Sequence, residues 1–479
     1  MRMSRLRGKR SDLKYLALYR AIEGQQTWNE AALKESFTFA NFSEAKQHLT
    51  ALLMRSLTIY DVHPESLMNN RLTEIRILLE RSMYHFAMKK IKAARTIALK
   101  EERYEALRAL ADMELVALPF VAPVSSLQTQ RATVVAQRKG IFQELETLRK
   151  LKDLHDRDLN AVLDKSSQSG HFGPELVAEI EQNPTLRMSD RELPVRAQSI
   201  KHRIWNVIRM QQLDFAGRAE VLNKTIELFE AQPFLIAEET VRYIFSLGGY
   251  GMCLNVIGKY EESLAATLKL RNIKAPHDNV ARSIFLNFAT NISTYTLLRG
   301  DVTALREHMS YLLSALRAHA SSTPAGTLAY IRYLFAIVFW MAGDLRRALK
   351  FARQVVEAPA GRTNLQAACK TFMLIFSWEQ GDMEAITSYL RAWRRQWRKK
   401  APKFEIERMF AERMGKLINA VGKEEVRTGM EAAAEELQAY LSKGVQVRSD
   451  NFIFVQHWLD SKLSGRGLVE TVRLQAANK

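Results

Sequence analysis

Residues 338–349 read Val338-Phe-Trp-Met-Ala-Gly343-Asp-Leu-Arg-Arg-Ala-Leu349 and place one glycine between two segments of different character. The residues before Gly343 are almost all apolar or aromatic. The residues after it carry apolar side chains at helical spacing, separated by charged ones. A glycine ends a helix readily because it adopts the left-handed conformation without a steric penalty from a Cβ atom. The stretch therefore predicts a buried helix, a turn at Gly343 and an amphipathic helix.

This arrangement recurs along the second half of the chain. Six glycines, each followed directly by a charged residue, are separated by 41, 42, 43, 38 and 41 residues; they are Gly217, Gly258, Gly300, Gly343, Gly381 and Gly422. A helix pair repeated at this interval cannot bury its own apolar faces and must stack on neighbouring pairs. The sequence therefore predicts an all-α fold, an α-solenoid of stacked helical hairpins. We expect turns within about two residues of Gly258, Gly300, Gly343 and Gly381.

One of these turns carries a more specific pattern. The segment Gly258-Lys-Tyr260-Glu-Glu-Ser263-Leu resembles the turn of a tetratricopeptide repeat (TPR), in which a glycine, an aromatic residue and a small residue pack two helices together. The stretch around Gly343 is similar, and Ser82 takes the place of the glycine in a related segment of the first half. The family repeat is about 34 residues long, so the resemblance is to a TPR-like array with a longer period. It implies a binding scaffold and carries over no ligand-binding residues.

Prolines and small polar residues indicate the domain organisation. We expect an N-terminal helical domain over residues 1–120 and a long helix or spacer over residues 121–165. An apolar stripe in that helix could pair two copies of the chain through residues 134–163. The region 166–198 begins with a run rich in serine and glycine and is predicted to be a linker. TPR-like repeats then cover 199–443, and C-terminal capping helices cover 444–479.

The composition limits the class of protein. The chain of 479 residues is 47% hydrophobic, with only 21 glycines and 11 prolines, which favours long helices in a packed core. No apolar run reaches the roughly 20 residues that a membrane span needs, so no membrane partner is predicted. Two cysteines suit a reducing, cytoplasmic location. We expect Cys253, Cys369, Trp340 and Trp378 to be buried.

The sequence contains no familiar catalytic motif. Gly248-Gly-Tyr-Gly251 is the one glycine cluster that could suggest a phosphate loop, but no lysine and hydroxyl residue follow it, and close packing of helices explains it better. The ten histidines have no second ligand at metal-binding spacing. We therefore expect no catalytic, cofactor-binding or metal-binding residues, and we predict that the protein is not an enzyme.

The most distinctive local feature is a basic run near residue 400. On a helix, Trp393 and Trp397 share one face, and four arginines share another; with the two lysines that follow, the predicted partner-binding residues are Arg391, Arg394, Arg395, Arg398, Lys399 and Lys400. Two interpretations remain open. The run is either a solvated face behind two core tryptophans or an electrostatic docking site for an anionic partner.

These observations favour a non-enzymatic helical-repeat scaffold that binds a protein partner through the repeat surface. An alternative is a protein that binds RNA, the ribosome or another polyanion through basic helix faces, because the formal net charge is +18. The excess charge is spread along the chain and interleaved with acidic residues. It favours an acidic partner without identifying one.

Overall fold

The structure is a computed structural model that describes residues 12–25, 28–37, 39, 41–166, 174–358, 363–398, 405–442 and 449–477. Within these ranges the regular structure is entirely helical, and the prediction of an all-α chain is confirmed for them. Over the same ranges, no helix combines the length and the apolar character needed to cross a lipid bilayer.

The chain divides into two compact units, Met1–Glu146 and Thr147–Lys479. The first unit contains α1 (Asp12–Glu23), α2 (Glu30–Ser36), α3 (Phe42–Tyr60), α4 (Pro64–Glu80), α5 (Tyr84–Lys100) and α6 (Tyr104–Val121). The division falls within α7 (Val124–Ser166), a single helix of 43 residues that includes the apolar stripe noted above.

The second unit continues through the region predicted to be a linker. Residues 167–173 of that region lie outside the described residues, and short helices follow them. The helices of this unit are α8 (Pro174–Glu181), α9 (Pro184–Arg187), α10 (Val195–Gln211), α11 (Phe215–Ala231), α12 (Pro233–Glu238), α13 (Thr240–Val256), α14 (Tyr260–Lys269), α15 (Asp278–Arg299), α16 (Val302–His319), α17 (Ala325–Met341), α18 (Leu345–Val356), α19 (Thr363–Gln380), α20 (Met383–Arg398), α21 (Glu405–Leu417), α22 (Lys423–Leu441), α23 (Ser449–Ser464) and α24 (Leu468–Ala477).

In the first unit, α4, α5 and α6 pack on one another around a small apolar core that includes Ile75, Ile91 and Leu110. The connections between these helices are tight because one residue in each takes the left-handed conformation, with φ of +57° at Ser82 and +48° at Glu102. Neither is a glycine, so each connection carries backbone strain that a glycine would avoid. The Glu102 turn was not predicted from the sequence.

The four predicted glycine turns of the second unit are confirmed. Gly258, Gly300, Gly343 and Gly381 have φ values of +80°, +70°, +82° and +72°, and each separates two helices. Gly422 is also left-handed, with φ of +93°, just before α22. A further left-handed glycine, Gly465 between α23 and α24, was not included in the predicted series.

The prediction that Gly217 belongs to this series of turn glycines is wrong. This residue lies in the first turn of α11, and its N–H donates to Asp214 Oδ1 (2.8 Å), so Asp214 caps the helix. The turn itself is formed by Leu213, with φ of +57°. A capping aspartate therefore fixes the start of the helix, and leucine occupies the strained position that glycine takes in the later turns.

The helices that precede the glycines form the core. In α17, every residue from Tyr333 to Met341 is buried, and in α19 the buried run extends from Thr371 to Ser377. Cys253, Cys369 and Trp340 are buried as expected. Trp378 is only half-buried, contrary to the prediction, because it lies in the last turn of α19 where the helix approaches the exposed turn at Gly381.

The last two helices fold back on earlier ones. Helix α24 packs on α15, and α23 packs on α19. The buried indole of Trp458 donates from Nε1 to Glu379 Oε1 (2.6 Å), and Lys462 forms an ion pair with the same carboxylate (2.7 Å). The hairpin of α23 and α24 is therefore attached to the middle of the second unit by apolar and polar contacts.

Candidate partner-binding surface

The predicted basic run falls on α20, and one side of that helix is clearly core. Ile386, Leu390 and Trp393 are buried, as the helical spacing predicted, and Arg391 is exposed. The described side chains of α20 end at Trp393, so the backbone alone places Arg394, Arg395 and Arg398 on the helix. Lys399 and Lys400 lie outside the described residues.

A second basic face lies on α18. Its buried side chains recur at helical spacing and are Ala348, Phe351, Ala352 and Val355. The opposite face is exposed and carries four cationic side chains, Arg346, Arg347, Lys350 and Arg353. The short helix is therefore strongly amphipathic, with an apolar side in the core and a basic side toward solvent.

Helices α18 and α20 are joined at the surface by a tyrosine. Arg353 donates from Nη2 to the Tyr389 hydroxyl of α20 (3.0 Å). The ring of Tyr389 stacks on Trp393 at a centroid distance of 5.4 Å, and Lys370 of α19 lies 6.0 Å from the Trp393 ring. These contacts place α18 beside the Tyr389 side of α20. Arg391 lies two residues beyond Tyr389, about 200° further around the helix, so it faces away from α18.

A groove of about 780 Å³ follows this surface. Its lining includes the four cationic side chains of α18 and two acids, Asp344 and Glu357. Asp344 caps α18 and pairs with Arg347 (3.3 Å). Arg346 and Lys350 form no ion pair with any described residue. The groove therefore keeps an excess of positive charge. Two of its four cations have no ion-pair partner among the described residues, and the exposed pair of Arg347 with Asp344 is weak. We name the exposed residues Arg346, Arg347, Lys350 and Arg353 of α18 the basic surface.

The exposure of Arg391 on α20 was predicted from the sequence, whereas the basic surface on α18 was not. The signal was present, because the apolar residues used to predict α18 leave Arg346, Arg347, Lys350 and Arg353 on the opposite side of the same helix. The contact between Arg353 and Tyr389 had no such signal, since the two residues are 36 positions apart.

The residues considered for other chemistry have structural roles or lie apart. A Cβ atom at Gly248 would overlap Asn287, and Asn291 donates to the Gly248 carbonyl (2.8 Å), which supports the packing interpretation of that glycine cluster. Burial raises the pKa of both the Cys253 and the Cys369 thiols, so neither is an activated nucleophile. Among the described residues, no group of three or more His, Cys, Asp or Glu side chains could hold a metal ion.

Comparisons with known proteins add no further assignment. No protein-family model matches the chain, and neither the curated proteins nor the solved structures contain a match.

Proposed function

We propose that this chain is a non-enzymatic, TPR-like α-solenoid scaffold that binds an acidic protein partner through the basic surface. The single observation that carries the proposal is the groove along α18, with four exposed cationic side chains and only two acids. A partner segment with several carboxylates would neutralise the groove, and arginine is suited to this role because its planar guanidinium donates two hydrogen bonds to one carboxylate.

The packing of the helices supports the scaffold part of the proposal. Helix α13 packs on α15, α15 on α17, α17 on α19 and α19 on α21, while a second helix follows each one after a left-handed turn. Stacked helix pairs of this kind present extended surfaces for other macromolecules. The two unpaired, buried cysteines suit the reducing cytoplasm as the location.

The spacing of the cationic side chains on α18 suits a short acidic segment of a partner protein. Arg346 and Arg353 lie seven residues apart on α18, which corresponds to about 11 Å along the helix. Two or three acidic side chains of a partner could pair with this length. A polyanion such as RNA remains the alternative, favoured by the net charge of +18. Binding to a polyanion weakens steeply with salt, which separates the two functions.

The test is a charge reversal on the basic surface, with a matched control. The test variant carries Arg346→Glu, Lys350→Glu and Arg353→Glu. The control carries Lys416→Glu, Lys423→Glu and Arg466→Glu, which changes the net charge equally at three exposed positions elsewhere in the second unit. Circular dichroism establishes that both variants are folded.

Each protein is immobilised and used to capture partners from a lysate of the native cell, with and without nuclease. We expect the wild type and the control to retain the same nuclease-resistant protein, and the test variant to lose it. Retention by the test variant would refute the role of the basic surface. Loss of capture after nuclease treatment, with tRNA binding to the wild type, would establish the polyanion alternative instead.

A further inference from the structure

A second cavity, separate from the basic surface, lies in the second unit where α7, α10, α11, α13 and α15 meet. Its volume is about 460 Å³, which is within the usual range for a small-molecule site. The lining includes three arginines and two histidines from four helices, namely His155, His202, Arg203, Arg218 and Arg242. No aspartate or glutamate side chain lines it.

The positive charge in this cavity is only partly compensated. Arg242 pairs with Glu239, and Arg218 donates from Nε to the neutral Asn206 (2.9 Å). Arg203 is largely buried; desolvation, followed by the nearby charge of Arg242, lowers its pKa to about 10. Glu239 and Asp156 lie near enough to Arg203 to oppose this shift, but neither lines the cavity, so the three guanidinium groups meet no carboxylate on its wall. Such an arrangement is costly unless an anion enters it.

Two buried nitrogen atoms of the lining also lack a hydrogen-bond partner. One is Nε of Arg203, and the other is Nδ1 of His202, a residue that is only 5% exposed. The other ring nitrogen of His202 contacts Asp190 Oδ2 at 3.2 Å. Buried polar atoms without partners are rare in folded proteins, because each one loses its hydrogen bonds to water. A ligand oxygen would accept a hydrogen bond from Nε of Arg203. Nδ1 of neutral His202 is an acceptor, because the other ring nitrogen donates to Asp190, and it would accept from a ligand hydroxyl.

Gly249 and Phe245 of α13 form part of the wall of the cavity. Nη2 of Arg218 lies 3.6 Å from the position that a Cβ atom of Gly249 would occupy, which is an ordinary contact, and Cδ1 of Leu222 lies closer, at 3.1 Å. Phe245 also lines the cavity and is 57% exposed, so part of its apolar ring is available to a ligand.

We infer that this cavity binds a small organic phosphate, with Arg203, Arg218 and Arg242 contacting the phosphate and Phe245 packing against the organic part. The three terminal oxygens of a phosphate monoester can accept hydrogen bonds from several guanidinium groups at once. A carboxylate has only two oxygens to offer to the three arginines. This inference does not depend on the proposed function, because it uses none of the residues of the basic surface.

Isothermal titration calorimetry with the full chain tests the inference. The probes are adenosine 5′-monophosphate, inorganic phosphate, adenosine and succinate, which separate the phosphate, the ring and a dicarboxylate. We expect the monophosphate to bind more tightly than inorganic phosphate, and adenosine and succinate to bind at least tenfold more weakly. Absence of phosphate binding, or equal binding of succinate, would overturn the inference.

Variants locate the binding. Arg203→Met removes a largely buried charge that forms no ion pair with any described residue, so the fold should be retained, and we expect a loss of affinity for the monophosphate of about tenfold or more. Phe245→Ala should weaken binding of the monophosphate but not of inorganic phosphate. The matched control Arg466→Met, at an exposed position outside the cavity and the basic surface, should bind as the wild type does. Unchanged affinity in Arg203→Met would show that the cavity is not the site, and an equal loss in the control would show that overall positive charge, not the cavity, holds the phosphate.

Discussion

Arg473 donates from Nε to the carbonyl oxygen of Gly300 (3.1 Å), although 173 residues separate them in the chain. Gly300 has φ of +70°, and a Cβ atom there would lie 2.8 Å from Cγ of Arg473 and 3.0 Å from the Val469 carbonyl oxygen. Glycine is therefore required at this position for two reasons: the left-handed backbone and the close approach of α24. At Gly343, with φ of +82°, nothing lies within 4 Å of the same point.

The first prediction compares these two glycines. Gly343→Ala introduces only the strain of a left-handed alanine, about 1 kcal/mol. Gly300→Ala adds a steric conflict with α24 and should lower the free energy of unfolding by a further 1 kcal/mol or more, of the order found for overpacked sites. Urea denaturation of the two variants measures the difference. Equal destabilisation would mean that α24 shifts away at little cost.

The second prediction concerns the strain at Gly343 alone. A β-branched side chain is especially unfavourable in the left-handed region, so Gly343→Val should destabilise the fold by about 1 kcal/mol or more. Asparagine tolerates this conformation, so Gly343→Asn should cost less. Thermal melting of both variants gives the comparison. If Gly343→Val melts at the same temperature as the wild type, the turn is not left-handed at this residue.

The third prediction uses a turn that has no glycine. Leu213 has φ of +57° and is 51% exposed, so Leu213→Gly removes strain and little buried surface. We expect it to stabilise the protein by up to about 1 kcal/mol. The preceding residue serves as the control. Gln212 has φ of −77°, so a substitution there relieves no strain. Gln212→Gly should destabilise the protein, because glycine increases the conformational freedom of the unfolded chain. If both variants lose stability in chemical denaturation, the strain at Leu213 is not significant.

The fourth prediction concerns the two cysteines. Cys253 and Cys369 are fully buried, and burial raises the pKa of both thiols. The thiolate is the reactive form, so neither should react with dithionitrobenzoate at neutral pH in the folded protein. Both should react after denaturation in guanidinium chloride. A thiol that reacts rapidly before denaturation would show that its helix opens to solvent.

The fifth prediction is a loss of stability in mild acid. Burial lowers the pKa of His202 below its ordinary value of 6.5, although the neighbouring Asp190 opposes this shift. The unfolded chain therefore binds a proton at this residue more readily than the folded chain does, so stability falls as pH decreases through 6.5. Urea midpoints at pH 7.5 and 5.5 measure the loss.

The substitution His202→Gln removes the titrating group and keeps an amide that can donate to Asp190. Its stability should depend less on pH over the same range than that of the wild type. His155, whose pKa is also lowered mainly by burial, continues to contribute in the variant. An identical pH dependence in the two proteins would exclude His202 as a source of the effect.

Much of the fold could be predicted because its signals are local. A glycine between an apolar segment and an amphipathic one defines a turn wherever it occurs, and Gly258 through Gly422 follow that rule. The failures have equally local causes. At Gly217 the deciding residue was the capping Asp214, and a strained leucine has no recognisable pattern in the sequence. The attachment of α24 to α15 depends on residues far apart, so no periodicity could reveal it.

The candidate sites divide in the same way. The basic surface could have been predicted, because its cations alternate with the apolar stripe of one helix. The phosphate-sized cavity could not, since it requires His155, Arg203, Arg242 and Asn287 from four helices to converge. Each of these residues is unremarkable in its own segment.

The return of α24 to the middle of the second unit has a consequence for biosynthesis. At ribosomal rates of about 5–20 residues per second, the 173 residues between Gly300 and Arg473 correspond to roughly 10–35 s of translation. Helix α15 is complete at the start of this interval and α19 is made during it, but α23 and α24, which pack on them, are made only at its end. The surface that receives the buried ring of Trp458 is therefore open to solvent until α23 emerges. Nascent chains stalled before residue 458 should therefore require chaperones to stay unaggregated.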